Sequence, residues 1–331
     1  MNEHQIAPGI YPGLGMTEYH NWKLDKSDLS AGPVSCSMLK SFAKNPLAWS
    51  MAPDFKPTKA MATGSFFDAA ITDPDTLAEF MPVEPEAPSP CVISPYDSYR
   101  SKDAKEWRDT AIAAGKRPIK PDDRYAELAA YSEAVEAHGI KYAAKTKLAA
   151  DARHAVYSHS VAGAILEKAD FQVGIVGEVP GGIPAKCLID ILPRDDSPYA
   201  ESIVDFKTIS TGLDDDSVRK AIGKFGYHWQ AAFYVSLTNK AYEALGSKRR
   251  IKYFIFIFQD PATLEVRVIR LDSGSLANGT NAVRRSLIEF VECAANGIIS
   301  RYANKMDVLE LMPFHADADN QEVEIEAEGM Q

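Results

Sequence analysis

The chain has 331 residues, of which 46% are hydrophobic and 25% charged, and a formal net charge of −10. That is apolar material for a substantial core in one large domain or two small ones, and no apolar run approaches the ~20 residues that span a bilayer. The N-terminus, with Glu3, His4 and Pro8, lacks the charged-then-apolar pattern of a secretion signal, so a cytoplasmic location is expected. Cys36, Cys91, Cys187 and Cys293 are far apart and form no Cys-x-x-Cys pair, which argues for buried reduced thiols over a zinc ribbon, an iron–sulfur cluster or redox chemistry. Six acids between Asp317 and Glu328, with no Lys or Arg among them, account for six of the ten net negative charges. The body of the chain is therefore near balance, and basic patches on it remain compatible with a polyanionic partner.

Residues 1–34 are rich in Pro, Gly and polar groups and read as an extended arm. Residues 35–43 read as a short helix with a Ser near its start, ended by Asn45 and Pro46, with Leu39, Phe42 and Trp49 on its apolar side. Residues 62–71 read as another, burying Phe67, Ala70 and Ile71 and closed by Asp73 and Pro74. Gly64 and Asp68 stand four residues apart on one side of it, and a glycine inside a helix is costly unless something approaches closely. Asp68 is then either a solvent-facing acid or a ligand aimed at a site. Prolines between Met81 and Pro95 exclude a regular helix or a central strand there. The Ala-rich, charged residues 96–168 predict helices near 101–114, 122–137 and 151–168. Arg100, Lys102, Lys105 and Arg108 give this region a basic leading edge, which is either a phosphate-contacting arm or a solvated helix face.

The pattern then turns to strands, beginning with residues 171–178. Residues 183–191 and 202–207 flank turn chemistry at 193–198 and predict a hairpin. Alternation along its second strand puts Asp205 and Lys207 on one face and Phe206 on the other. With Glu178 and Asp190, this stretch gathers acids and an amine: hard oxygen ligands for a divalent ion, plus a cation to position water or offset developing charge. Those are the needs of metal-assisted phosphodiester cleavage; the alternative is a surface hairpin with an ordinary ion pair. Asp214, Asp215 and Asp216 read as capping and surface charge at a helix entry. A helix from about 225 to 245 puts Gln230 and Tyr234 on one face, where they either hold a phosphate against a metal centre or line the core beside Phe233. Residues 251–258 are apolar enough for a central strand, and residues 264–270 alternate like an edge strand. A last helix is predicted over 275–299, and the acidic tail has the composition of a disordered segment. There is no internal repeat, dinucleotide fingerprint, phosphate loop or nucleophile elbow.

The ordered set Gly64-x-x-x-Asp68, Glu178, Asp190, Asp205-x-Lys207 and Gln230-x-x-x-Tyr234 resembles the PD-(D/E)XK nuclease superfamily, and within it the RecE/exonuclease VIII type of phage and prophage recombination exonuclease. Residues 37–46 and 99–107 are similar to that type's Ser-x-Leu…Pro opening and its basic segment. The resemblance implies an α/β, restriction-endonuclease-like core: a central mixed sheet flanked by helices, with a helical N-terminal region. It implies one nuclease domain over 35–300 with a helical insertion at about 96–168, set between the arm and an acidic tail over 301–331. By resemblance, Asp190 and Asp205 are Mg²⁺ ligands, with Mn²⁺ able to substitute, and Lys207 positions or activates the attacking water. Gln230 and Tyr234 support the site, Glu178 matches a less constant acidic position, and Arg100, Lys102 and Lys105 contact DNA. Asp68 stands where most relatives carry a metal-binding histidine; an aspartate is a competent hard-oxygen ligand, with a changed metal preference and pH response. The implied activity is an exodeoxyribonuclease acting on ends of linear double-stranded DNA, 5′ to 3′, in a bacterial cytoplasm. It would leave single-stranded tails for an annealing protein and act as a homo-oligomer. Two alternatives share the fold: a DNA-binding or assembly protein that has lost catalysis, and an endonuclease.

Overall fold

The structure, a computed structural model, describes residues 7–53, 58–298, 300 and 306. The acidic stretch 317–328 lies outside them. In chain order, β1 (Gly9–Tyr11) and α1 (Met16–Asn21) precede α2 (Cys36–Lys44), α3 (Pro46–Met51) and α4 (Lys59–Thr72). A lateral region follows: β2 (Val92–Ile93), α5 (Lys102–Ala113), β3 (Pro118–Ile119), α6 (Pro121–Ser158) and α7 (Ser160–Glu167). The chain then runs through β4 (Ala169–Val179), β5 (Ile183–Pro193), β6 (Ser202–Thr208), α8 (Asp215–Phe225), α9 (Tyr227–Ala244), β7 (Tyr253–Gln259), β8 (Val266–Arg270) and α10 (Ser273–Asn296).

The main sheet has the order β1-β4-β5-β6-β7-β8. All neighbours are antiparallel except β6 and β7, which run parallel. A parallel pair cannot be joined by a tight turn, and α8 and α9 supply the crossover. This is the mixed sheet flanked by helices that the resemblance implies. The period of two along β6 and β7 feeds two cores. Ile203, Phe254, Phe256 and Phe258 pack with residues of α2, α9 and α10, whereas Val204, Phe206, Ile255 and Ile257 pack with α4, the end of α6, and α7. Phe42, Trp49 and Phe290 meet edge to face, with Phe42 5.4 Å from Trp49 and 5.1 Å from Phe290, which ties α2 and α3 to α10.

Several boundaries differ from expectation. The N-terminal stretch is docked: β1 adds to the sheet beside β4, and Leu14 and Trp22 are buried. Leu14 fits because Gly174 has no side chain; a Cβ there would lie 2.4 Å from Leu14 Cδ2. Lys186 of β5 donates to the carbonyls of Tyr19 and Trp22 and so pins α1. The helices expected at 122–137 and 151–168 are joined, because α6 runs unbroken for 38 residues, about 57 Å. Gly139 is its only glycine and costs a helix only ~1 kcal/mol. The break comes at His159, whose ring accepts the Ala162 N–H as the cap of α7. The helix expected from 225 begins at Tyr227, after Gly226 at φ 63° closes α8. The last helix starts at Ser273, capped by Asp272, and ends at Asn296; Ile299 lies outside the described residues. Cys36 and Cys187 are buried thiols, while Cys91 and Cys293 are partly exposed. Among the described residues no helix is long and apolar enough to cross a membrane.

Two glycines make opposite predictions. A Cβ on Gly279 of α10 would sit 2.0 Å from the His228 carbonyl of α9, so Gly279→Ala forces those helices apart and is expected to lower stability to urea by about 1–3 kcal/mol. A Cβ on Gly139 meets nothing within 4 Å, so Gly139→Ala is expected to raise helix stability by about 0.5–1 kcal/mol. Loss of stability in the second variant would contradict the continuous α6.

Candidate active site

The site forms where β5 and β6 part. Their register is carried by Ile191 opposite Val204, and beyond it the ladder opens. Asp190 fills the gap: its Oδ2 accepts the Phe206 N–H at 3.0 Å, in place of a ladder carbonyl. The same place is kinked in β4 and β5. The β4–β5 register passes over Gln172 and Asp190, and Gln172 is held at φ 49°. Val173 and Ile189 pack on the α9 side, but Phe171 and Ile191, two residues along, join the α4 side. Such a local change of face re-aims side chains next to functional sites.

On β6, Asp205 and Lys207 share a face as alternation requires, and Lys207 Nζ lies 2.5 Å from Asp205 Oδ2 and 3.9 Å from Asp190 Oδ2. The Asp205 side chain is 1% exposed and Lys207 22%. Lys207 also donates to the Phe206 carbonyl at 3.1 Å. From α9, Gln230 Nε2 donates to Asp205 Oδ1 at 2.6 Å, so both oxygens of this carboxylate are engaged. From α4, Asp68 turns inward: Thr72 Oγ1 donates to its Oδ1 at 3.2 Å and Gln172 Nε2 to its Oδ2 at 3.5 Å. Gly64, one turn earlier, faces β6, where a Cβ would lie in van der Waals contact 3.4 Å from Thr208 Oγ1, so the helix does not require glycine there.

Charge and burial oppose each other here. Burial, reinforced by Asp205 and Asp68, pushes the Asp190 carboxyl well above the usual carboxylate range, against the pull of Lys207 and the Phe206 N–H. Burial also lifts Asp68 to about 6; Asp205 adds to this, and Lys207, Thr72 and Gln172 oppose it. Burial works against the charge on Lys207, yet Asp205 and Asp190 hold its ammonium above the ordinary lysine value. Tyr234 is pushed well up by burial and packs edge-on against Phe254, with ring centroids 6.4 Å apart.

The structure thus brings together Asp68, Asp190, Asp205, Lys207 and Gln230, with Tyr234 beside them on the next turn of α9. It does not bring Glu178. That residue is exposed near the far end of β4, opposite Pro184, whereas the strand reaches the site at Gln172. Six residues of strand, about 20 Å, separate the two. The β4 position that faces the cluster is therefore an amide. Arg100, Lys102 and Lys105 are exposed around the start of α5, which packs on the small parallel β2–β3 pair, and no described hydrogen bond or ion pair links them to the cluster. Arg108 pairs with Asp109 at 2.8 Å and lies over the Tyr99 ring. Asp214 caps α8, and Asp215 pairs with Arg219 and Arg267, as expected of capping and surface charge.

Sequence reasoning missed Gln172, Thr72, Tyr227 and Lys40. Tyr227 offers its ring face to Lys207, 5.7 Å from Nζ. Lys40, from the Ser-x-Leu segment, donates to the Phe225 carbonyl at 2.9 Å and so fixes the turn from which α9 starts. The signal available for Gln172 was a polar residue at an inward position of an apolar strand. Nothing in the sequence pointed to the others.

A model of the family described as a PDDEXK-like domain of unknown function (DUF3799) matches residues 35–311. No curated protein matches. Among solved structures, one described as "Putative exonuclease" from Eubacterium rectale is similar over 92% of this chain and 98% of that chain, with 14% identity and a TM-score of 0.49.

The raised Asp68 carboxyl sets a pH dependence. The folded protein keeps a proton that the unfolded chain releases between pH 3.8 and about 6, so unfolding free energy falls as pH rises through that window. Asp68→Asn is expected to flatten this slope and to stabilise the metal-free protein at pH 7–8 by about 1–3 kcal/mol in urea titrations. A destabilised variant with an unchanged slope would show that Asp68 is not part of the repelling cluster.

Proposed function

The chain belongs to the PDDEXK-like domain family (DUF3799), and from that membership we propose that it is a divalent-metal-dependent nuclease acting on the ends of linear double-stranded DNA. The observation that carries this reading is the Asp205–Lys207 pair with Asp190 and Asp68 beside it, fixed from α9 by Gln230. Its order, an acid followed by acid-x-lysine, resembles the signature after which the superfamily is named.

The residues fit a divalent ion by their chemistry. Three carboxylates stand close together with little exposure to water, and the charge of Asp205 raises the proton affinity of Asp68 and of Asp190, a repulsion that a hard dication removes. As the side chains stand, no three His, Cys, Asp or Glu among the described residues form a ready-made metal group, and the Lys207 ammonium lies against Asp205 instead. Asp190, Asp205 and Asp68 would hold Mg²⁺, with Mn²⁺ as a substitute. When bound, such an ion polarises a phosphate and lowers the pKa of a coordinated water. Lys207, kept charged by its two carboxylates, orients the water or offsets charge growing on the phosphate. Gln230 holds the Asp205 rotamer, and Tyr234 packs the floor behind it. The 5′-to-3′ direction, a homo-oligomer and delivery of single-stranded tails to an annealing protein rest on the resemblance to recombination exonucleases. The ion pair that occupies Asp205, together with an aspartate in place of histidine at position 68, favours a second reading, a DNA-binding protein with impaired catalysis.

Linear and circular duplex DNA with Mg²⁺ separate these readings. The wild type is expected to degrade linear DNA and spare circles, and Asp205→Asn and Lys207→Ala to lose at least ~100-fold in rate while remaining folded. Asp68→Ala is expected to weaken activity more than Asp68→His. Undiminished cleavage by the Asp205 and Lys207 variants would remove the proposed active site; cleavage of circles would make the enzyme an endonuclease; binding of DNA without cleavage would favour the impaired protein.

A further inference from the structure

The acidic segment 317–328 lies outside the described residues, and one cleft on the described surface complements its composition. A cleft of ≈ 560 Å³ opens between α8, the edge strand β8 and the first turns of α10. Its floor is apolar, with Val218, Ile222 and Ile269, and its rim carries Arg219, Arg267 and Arg270. The carboxylates on the rim are already engaged. Asp215 pairs with Arg267 at 2.5 Å and Arg219 at 3.0 Å, and Asp272 caps α10 by accepting the Ser275 N–H and hydroxyl. Arg270 lies over the Tyr253 ring, 4.9 Å from its centroid, with no carboxylate partner among the described residues. Lys220 and Lys224 of α8 are exposed nearby and add positive charge.

The tail has the complementary pattern. Glu322, Glu324, Glu326 and Glu328 alternate with Val323, Ile325 and Ala327. In an extended segment, this period of two sets carboxylates on one side and aliphatic groups on the other. We propose that the cleft between α8, β8 and α10 is the docking site of the chain's own acidic segment, with Val323 and Ile325 against the apolar floor and the glutamates toward the arginine rim. The connection is long enough. The cleft lies at the start of α10, whose 24 residues span about 36 Å, and the residues between Asn296 and Glu322 can reach about 80 Å. Tethering supplies an effective concentration on the order of 1 mM, so even a contact with millimolar affinity is populated about half the time. Exposed ion pairs are individually weak and screened by salt, so the contact is salt-sensitive. This inference does not depend on the nuclease reading.

Hydrogen exchange of the full chain, read by mass spectrometry, tests it without any activity. In a variant with Glu322, Glu324, Glu326 and Glu328 all replaced by Lys, α8 and β8 are expected to exchange about 2- to 10-fold faster than in the wild type at low salt, with α7 unchanged. High salt is expected to bring the wild type to the same rates. Adding Arg219→Glu and Arg270→Glu to the tail variant is expected to restore slow exchange. Exchange of α8 and β8 that ignores both tail charge and salt would overturn the proposal. So would protection that grows with protein concentration, which would mark a contact between copies, or protection that appears only on adding duplex DNA.

Discussion

The centre of this protein depends on gathering three carboxylates, Asp205 buried and Asp68 and Asp190 largely so, beside one lysine at the point where β5 and β6 separate. Taken alone, that is an unfavourable arrangement, since each charge loses its hydration and the like charges repel. The surrounding structure supplies the partners that make it tolerable: the Phe206 N–H for Asp190, Lys207 and Gln230 for Asp205, and Thr72 with Gln172 for Asp68. The partners come from four elements, β6, α9, α4 and β4, and each element is held by apolar packing on one face of the sheet or the other. The aromatic strand β7, with Phe254, Phe256 and Phe258 fully buried, anchors the parallel neighbour β6 that carries both Asp205 and Lys207.

The two helical layers have separate tasks. The α4 layer brings Asp68 in from one side, where Thr72 and Gln172 hold its carboxylate. The α9 layer brings Gln230, Tyr234 and Tyr227 from the other. Its starting point is fixed by the left-handed Gly226 and by Lys40, which donates to the last carbonyl of α8. The Ser-x-Leu segment near the N-terminus is thereby tied, 185 residues later in the chain, to the turn that leads into the helix carrying Gln230.

What could be read from the sequence followed from local rules. The period of two fixes the shared face of Asp205 and Lys207, a spacing of four stacks Gln230 under Tyr234, and Ser35 and Asp214 declare helix starts through their capping side chains, whereas Asn45, read as a helix end, also caps the start of α3. What could not be read depended on contacts between distant parts of the chain. Glu178 has the right chemistry on the right strand but the wrong register, because the kink at Gln172 decides which residue of β4 faces Asp190. The docking of residues 9–22 depended on a space left by Gly174, and the length of α6 on Gly139 having no neighbour that would reward a break there. Asp68 was ambiguous for the same reason: a helix shows which of its residues share a face, but its packing decides what that face meets.

The claim that the carboxylate cluster is a metal centre is tested most directly by Mn²⁺ binding, followed by electron paramagnetic resonance at pH 8 on the wild type and on Asp190→Asn and Asp205→Asn. The expected result is saturable binding to the wild type and its loss in both variants, each with an unchanged circular dichroism spectrum. Equal Mn²⁺ binding by all three proteins would contradict the claim.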